Sequence, residues 1–135
     1  MSKETSEERM ARVMAIIRSG DEARLTELCD PNICVEQAAA LPYGGVYRGV
    51  AGLRKMLKGL REAWTDMNAS LEHVLGDASG DHLLTIQHLR ARSSKTGRPV
   101  DMTVAELFSF RDGRLISIHP HYFDTKAVHD ACKED

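Results

Sequence analysis

VDMTVAELFSF (residues 100–110), the tight RDGR turn (111–114) and LISIHPHYF (115–123) together form the stretch that decides the fold. Along an extended strand successive side chains point to opposite faces. Val100, Met102, Val104, Glu106, Phe108 and Phe110 therefore share one face, five of them apolar and the sixth a carboxylate. An ionised acid inside an apolar stripe is costly unless it is paired, protonated or put to use. Glu106 is thus the first candidate for chemistry. Arg111-Asp-Gly-Arg114 suits a hairpin turn, with Gly113 free to take a positive φ, so the two strands are expected to pair antiparallel.

Working outward, His82 to Arg92 and a shorter run near Ala69 to Leu75 read as further strands, with turn residues between them and a loop at Ser93 to Arg98. The first half of the chain is helical. Thr5-Ser-Glu-Glu8 is a capping box, and Met10, Val13, Met14 and Ile17 follow at helical spacing. Gly20 stops that helix, and Asp21 caps a short second one that buries Leu25 and Leu28 and ends at Asp30-Pro31. Ile33 to Gln37 reads as a short strand, with Ile33, Val35 and Gln37 on one side and Cys34 and Glu36 on the other. LPYGGVYRG (41–49) reads as a loop in which Tyr43 and Tyr47 suit a pocket mouth. A third helix from Val50 carries Leu53, Met56, Leu57, Leu60 and, last on the stripe, Trp64. Thr125 to Cys132 closes the chain as a short helix capped by Asp124.

This order predicts an α+β fold: a cone-shaped, curved antiparallel sheet with three N-terminal helices packed on its concave face. Helices cover such a face incompletely and leave a cavity suited to a small ligand. With 135 residues, one domain spanning 1–135 is expected. A net charge of −2 gives no general attraction to nucleic acid or anionic membrane, and no apolar run is long enough to span a bilayer. The polar N-terminus MSKETSEER does not resemble a secretory signal, and Cys29, Cys34 and Cys132 form no CxxC pair, so reduced thiols in the cytoplasm are expected.

The element order, the Pro-Tyr-Gly-Gly-x-Tyr-x-Gly loop (42–49) and the ending Phe-Arg-Asp-Gly-Arg-Leu-Ile…Tyr-Phe-Asp (110–124) resemble the nuclear transport factor 2-like (NTF2-like) superfamily, particularly its SnoaL-like and ketosteroid-isomerase-like members. The resemblance runs from about Glu8 to Val128. It implies a cystatin-like α+β roll, a homodimer through the convex sheet face, and neither metal nor organic cofactor. It does not imply one function, because the fold hosts isomerases, cyclases, hydratases, hydrolases and binding modules. By this resemblance Glu106 falls where ketosteroid isomerases keep the protonated aspartic acid of their oxyanion hole. Their general base falls on Gln37, which cannot accept a proton, and their oxyanion tyrosine on Val13. The aspartate of the related polyketide cyclases falls on Pro120. Steroid isomerisation by the same constellation is therefore not expected.

Two readings compete. In the first, the chain is an enzyme that moves a proton on a small, apolar, oxygenated molecule, of isomerase, cyclase or lyase type. Glu106 is the acid or hydrogen-bond donor, and Tyr122 or Tyr43 orients the substrate. His88 is the base if it faces inward, which requires paired residue numbers on its strand and the central one to have an even sum; an odd sum turns Leu89 inward instead. Gln37, Tyr43, Tyr47, Trp64, Met102, Val104, Phe108 and Ile118 are the expected ligand contacts. In the second, the chain is a non-catalytic module that binds a hydrophobic ligand or dimerises, consistent with the missing base and tyrosine. His119-Pro-His121 puts two imidazoles on one face, with Glu36 or His129 as possible third ligands. Parity places that pair on the convex face, however, and no metal is expected. A homodimer is expected from the convex face itself, which presents Leu107 and would present Leu89 if that residue faced outward.

Overall fold

The computed structural model describes residues 4–135. In chain order the elements are helix α1 (Ser6–Ser19), helix α2 (Glu22–Leu28), strand β1 (Cys29–Gln37), strand β2 (Gly45–Arg48), helix α3 (Gly49–Ala63), strands β3 (Trp64–Gly76), β4 (His82–Ser93), β5 (Pro99–Arg111) and β6 (Arg114–Tyr122), and helix α4 (Thr125–Cys132). The capping box closes as its sequence implies: Glu8 N–H donates to Thr5 Oγ1 at 3.1 Å, and Thr5 N–H donates to Glu8 Oε1 at 3.2 Å. Gly20 ends α1 in the left-handed region, and Asp21 and Asp124 accept backbone N–H bonds at the starts of α2 and α4. These caps satisfy donors that a helix terminus would otherwise leave unpaired.

The strands form one curved, unclosed sheet in the order β2-β1-β6-β5-β4-β3. Every neighbouring pair is antiparallel except β1–β6, which is parallel, so the sheet is mixed. The reason is connectivity. A parallel neighbour must be reached by a long crossover, and the whole middle of the chain lies between β1 and β6. Two boundaries differ from the sequence reading for a related cause. Half of the Pro- and Gly-rich loop becomes β2, a short edge strand laid against the end of β1. Trp64 opens β3 rather than closing α3, and β3 bends through two register shifts, with Asp66 at φ 52° in the first. Bulges of this kind curve a strand.

Register decides which side chains meet. Arg111 pairs with Arg114 across a two-residue turn whose residues both take positive φ, Asp112 at 52° and Gly113 at 78°. Gly113→Ala is expected to cost about 1–2 kcal/mol, because a Cβ disfavours this backbone region, measured as a drop in unfolding free energy in urea. Ile116 is an extra residue in β6: Phe110 pairs with Leu115, but Ser109 pairs with Ser117. That bulge resets the parity, so Ile118, Pro120 and Tyr122 lie opposite Phe108, Glu106 and Val104 on the inner face.

Helices α1 to α3 cover that inner face, and the core divides in two. One cluster joins Met10, Val13, Leu25, Ile33, Leu53 and Leu115 under the three helices. The other joins Tyr43, Trp64, Leu89, Met102, Val104 and Val128 against α4. Among the described residues no helix is long and apolar enough to cross a membrane.

Candidate functional site

Between the two clusters lies a cavity of about 520 Å³, within the range of pockets that bury drug-sized ligands. Its roof is Met14 and Ile17 of α1 with Leu53, Met56, Leu57 and Leu60 of α3. Its floor is the sheet: Gln37, the Ile118-Pro120-Tyr122 row, the Val104-Glu106-Phe108 row, and Gln87 with Leu89. Trp64 closes one side. The exposed members of the lining, Arg18, Arg61, Met67 and Asn68, mark the rim.

Glu106 sits mid-floor, opposite Pro120 on one side and Thr85 on the other. It is half-buried as a residue, but its carboxyl group is densely surrounded, and that burial pushes its pKa up to about 7 against the pull of its bond to Gln87. Gln87 Nε2 donates to Glu106 Oε1 at 3.2 Å and is steadied by Thr85 Oγ1 at 2.9 Å. No cation reaches the carboxylate among the described ion pairs. Near neutral pH the group is therefore divided between its two protonation states, which suits both taking and returning a proton.

A hydrogen-bond chain stands beside it. Trp64 Nε1–H donates to Tyr43 Oη at 3.0 Å, and Tyr43 Oη lies 2.6 Å from Tyr122 Oη. Tyr43 is 2 % exposed and Tyr122 is half-buried. Either hydroxyl can donate in this pair, and when Tyr43 donates the Tyr122 proton is left for the cavity. Burial raises both phenols, Tyr43 to about 12 and Tyr122 further, so both remain protonated donors. The loop that delivers Tyr43 is tight. A Cβ on Gly44 would meet the Ala38 carbonyl oxygen at 2.5 Å, and the Tyr47 hydroxyl ties back to the Tyr43 carbonyl at 2.9 Å. Gln37 is 4 % exposed; among the described residues its Nε2 reaches only Met56 Sδ, at 3.5 Å, and its buried Oε1 has no partner.

The structure brings Glu106, Tyr122, Gln37, Trp64, Val104, Phe108 and Ile118 to the cavity wall. Four expected residues lie elsewhere. His88 pairs with Thr103, so the paired numbers have an odd sum and Leu89 points inward. The His88 ring lies on the outer face with Nε2 2.5 Å from Asp101 Oδ1, and it cannot act on Glu106. Leu89 is correspondingly absent from the convex face. Tyr43 stands behind Tyr122 rather than in the wall, Tyr47 packs against the first cluster, and Met102 is enclosed in the second. The His119 and His121 rings lie 4.3 Å apart between centroids, tilted by 43°, on the outer face, and among the described residues no group of three metal-ligating side chains forms. Sequence reasoning missed Gln87, Arg18 and Arg61. The first was legible as an inward polar residue on the alternation of Leu83, Thr85 and Leu89.

Glu106 also ties stability to pH. Below about pH 4.5, its ordinary pKa, the carboxyl carries a proton whether the chain is folded or not. As pH rises toward 7 the unfolded chain ionises first and holds fewer protons, so stability falls, and the loss levels off above the folded pKa. The loss relative to Glu106→Gln is expected to be at most on the order of 3 kcal/mol, read as the divergence of urea unfolding free energies from acidic to mildly alkaline buffer.

The family model described as the SnoaL-like domain matches residues 10–118. An uncharacterized protein of Mycobacterium tuberculosis is 30% identical over 119 residues, covering 87% of this chain and 88% of its own length. Among solved structures, an NTF2-like protein of Burkholderia thailandensis E264 superposes with a TM-score of 0.79 at 22% identity, covering 93% of this chain and 95% of that one. A protein of Jannaschia sp. CCS1 named as a candidate SnoaL-like polyketide cyclase superposes with a TM-score of 0.74 at 16% identity, covering 100% and 98%. At such identities the structural likeness speaks for the fold alone. With the family model spanning most of the sequence and the relative agreeing over the same span, the chain belongs to the SnoaL-like domain family and has the NTF2-like fold.

Proposed function

We propose that the cavity binds a small, largely apolar, oxygenated molecule and that Glu106 moves a proton on it. The supporting observation is a carboxyl group whose pKa burial has raised to about 7 in the floor of an apolar cavity, held by Gln87 alone. A carbonyl compound fits this arrangement. The Glu106 carboxylate removes a proton from the carbon next to the carbonyl, and the C–H electron pair shifts to form an enolate. Tyr122, backed by Tyr43 and Trp64, donates to the enolate oxygen where charge develops. Neutral Glu106 then returns its proton to the same or a conjugated carbon, the net change of an isomerase or cyclase-type step. No cofactor is needed for this.

Gln37 favours a second reading, a binding module that releases its ligand unchanged, because the resemblance to ketosteroid isomerases puts their base at this amide. The two separate in heavy water. Wild-type protein is expected to speed deuterium uptake at the α-carbons of apolar ketones such as 2-tetralone, followed by proton NMR, with the rate rising through a midpoint near pH 7. Binding without faster uptake across a panel of bicyclic and aryl ketones would leave the module reading.

The outer face, with half-buried Leu84, Ile86, Leu107 and Ile116, supports a homodimer through that face. Sedimentation at micromolar concentration tests it. Three unpaired cysteines support a reducing, cytoplasmic setting.

A further inference from the structure

We propose that the ligand is an organic carboxylic acid with an apolar body: its carboxylate is held at the rim by Arg18 and Arg61, and a hydroxyl or N–H at its other end donates to Gln37 inside. This rests on the reading of the cavity as a ligand site and adds the polarity of what enters it.

Two independent features carry it. The first is the charge of the rim. Arg18 and Arg61 come from different helices and line the same cavity. Six other arginines, Arg9, Arg12, Arg54, Arg90, Arg98 and Arg111, each sit within 4.0 Å of a carboxylate. Arg18, Arg24, Arg48, Arg61, Arg92 and Arg114 have no acid partner among the described ion pairs; of these, Arg18 and Arg61 line the cavity, whose lining contains no acid except Glu106. Two guanidinium groups without acids on the lining of one cavity favour an anion there, and a carboxylate suits their forked donors.

The second feature is Gln37. Its Oε1 is buried and accepts nothing, although the residue forms part of the cavity wall. Exchanging the amide oxygen and nitrogen does not help, since one of the two would still face only Met56 Sδ and the other nothing. An orphaned buried acceptor is costly to leave unpaired, so a donor supplied by the ligand relieves that cost. The register also separates Gln37 from Glu106. Val35 pairs with Ile118, and continuing that parallel pairing sets Gln37 beside Pro120, which Glu106 flanks from the other side. Gln37 and Glu106 thus stand about 10 Å apart by backbone, two strand spacings, with the rim arginines above them on α1 and α3. The reverse orientation would take the ligand's carboxylate into the apolar interior, away from both arginines and into a poorly solvated place.

Calorimetric titration with rigid probes tests the proposal: 6-hydroxy-2-naphthoate, its methyl ester, and 2-naphthoate. Wild-type protein is expected to bind 6-hydroxy-2-naphthoate about tenfold more tightly than the ester, with the preference falling as salt is added. The double variant Arg18→Gln, Arg61→Gln, exposed on both helices, is expected to abolish that preference while still binding the ester. Gln37→Met, of similar volume, is expected to abolish the separate preference for the hydroxylated acid over 2-naphthoate. Equal binding of acid and ester by wild type, or a preference that survives loss of both arginines, overturns the inference and leaves the ligand-site reading standing. Failure of every probe to bind, with the fold verified by circular dichroism, overturns both.

Discussion

Glu106→Gln is expected to lower protein-catalysed α-proton exchange about 10²–10⁴-fold, the range a positioned acid–base group contributes. The substitution is nearly isosteric. It keeps an acceptor oxygen and adds an amide nitrogen beside Gln87, so substrate affinity should change little and the loss should fall on the rate of proton transfer. The pH profile gives a second readout. With a pKa near 7, the wild-type rate should rise as the carboxylate forms, whereas the residual rate in the variant should lack that midpoint. Tyr122→Phe is the companion. It leaves the base and removes the donor, so its smaller loss should keep the midpoint. A variant that retained wild-type exchange would remove Glu106 from the mechanism, and a loss explained wholly by weaker binding would make it a contact rather than the base.

The largest stability effect should come from Leu115→Ala. Leu115 is 0% exposed within the cluster under the helices and lies next to the Ile116 bulge that sets which β6 side chains face the cavity. Removing its isobutyl group from a site with a rigid strand on each side leaves a void that cannot collapse easily, so a cost of about 2–5 kcal/mol is expected. Against a typical total of about 5–15 kcal/mol that is a large share, and the melting temperature should drop by roughly 10 °C. Leu115 does not line the cavity, so protein that remains folded in the cold should bind ligands as wild type does. A cost below about 1 kcal/mol would mean that this part of the core is far looser than its burial indicates.

How much of this was legible in the sequence depends on how local the signal was. Helix caps and the Asp112-Gly113 turn are encoded by adjacent residues, and they appear where the sequence puts them. The inward face of β5 follows from alternation alone, and Glu106 with it. His88 shows the limit of that method. Its side of the sheet depends on the register across the Ser93–Arg98 loop, where one residue more or fewer turns every side chain of the strand over. Six residues separate the paired Arg92 and Pro99, which sends His88 to Asp101 and Leu89 to the cavity. Strand β2 and the placement of Trp64 were hidden for a different reason. Gly45–Arg48 is a strand because β1 offers it an edge, not because of its own composition, and Trp64 continues the α3 stripe in sequence but belongs to β3 in space. Gln37 was visible as an amide in place of a base, but its unpaired oxygen is a property of packing.

The parallel seam between β1 and β6 constrains how the molecule assembles. β4, β5 and β6 are joined by short turns and can zip together as a meander soon after they exist. β1 has no such neighbour on its inner side: the strand it must lie against is the last of the six in chain order. Closing so long a loop is entropically expensive and slow. On the ribosome, therefore, the helices and the first two strands must wait with their greasy sides uncovered until β6 has emerged. The barrier to folding should lie in that late docking step, and the waiting N-terminal half is where a chaperone would find its grip.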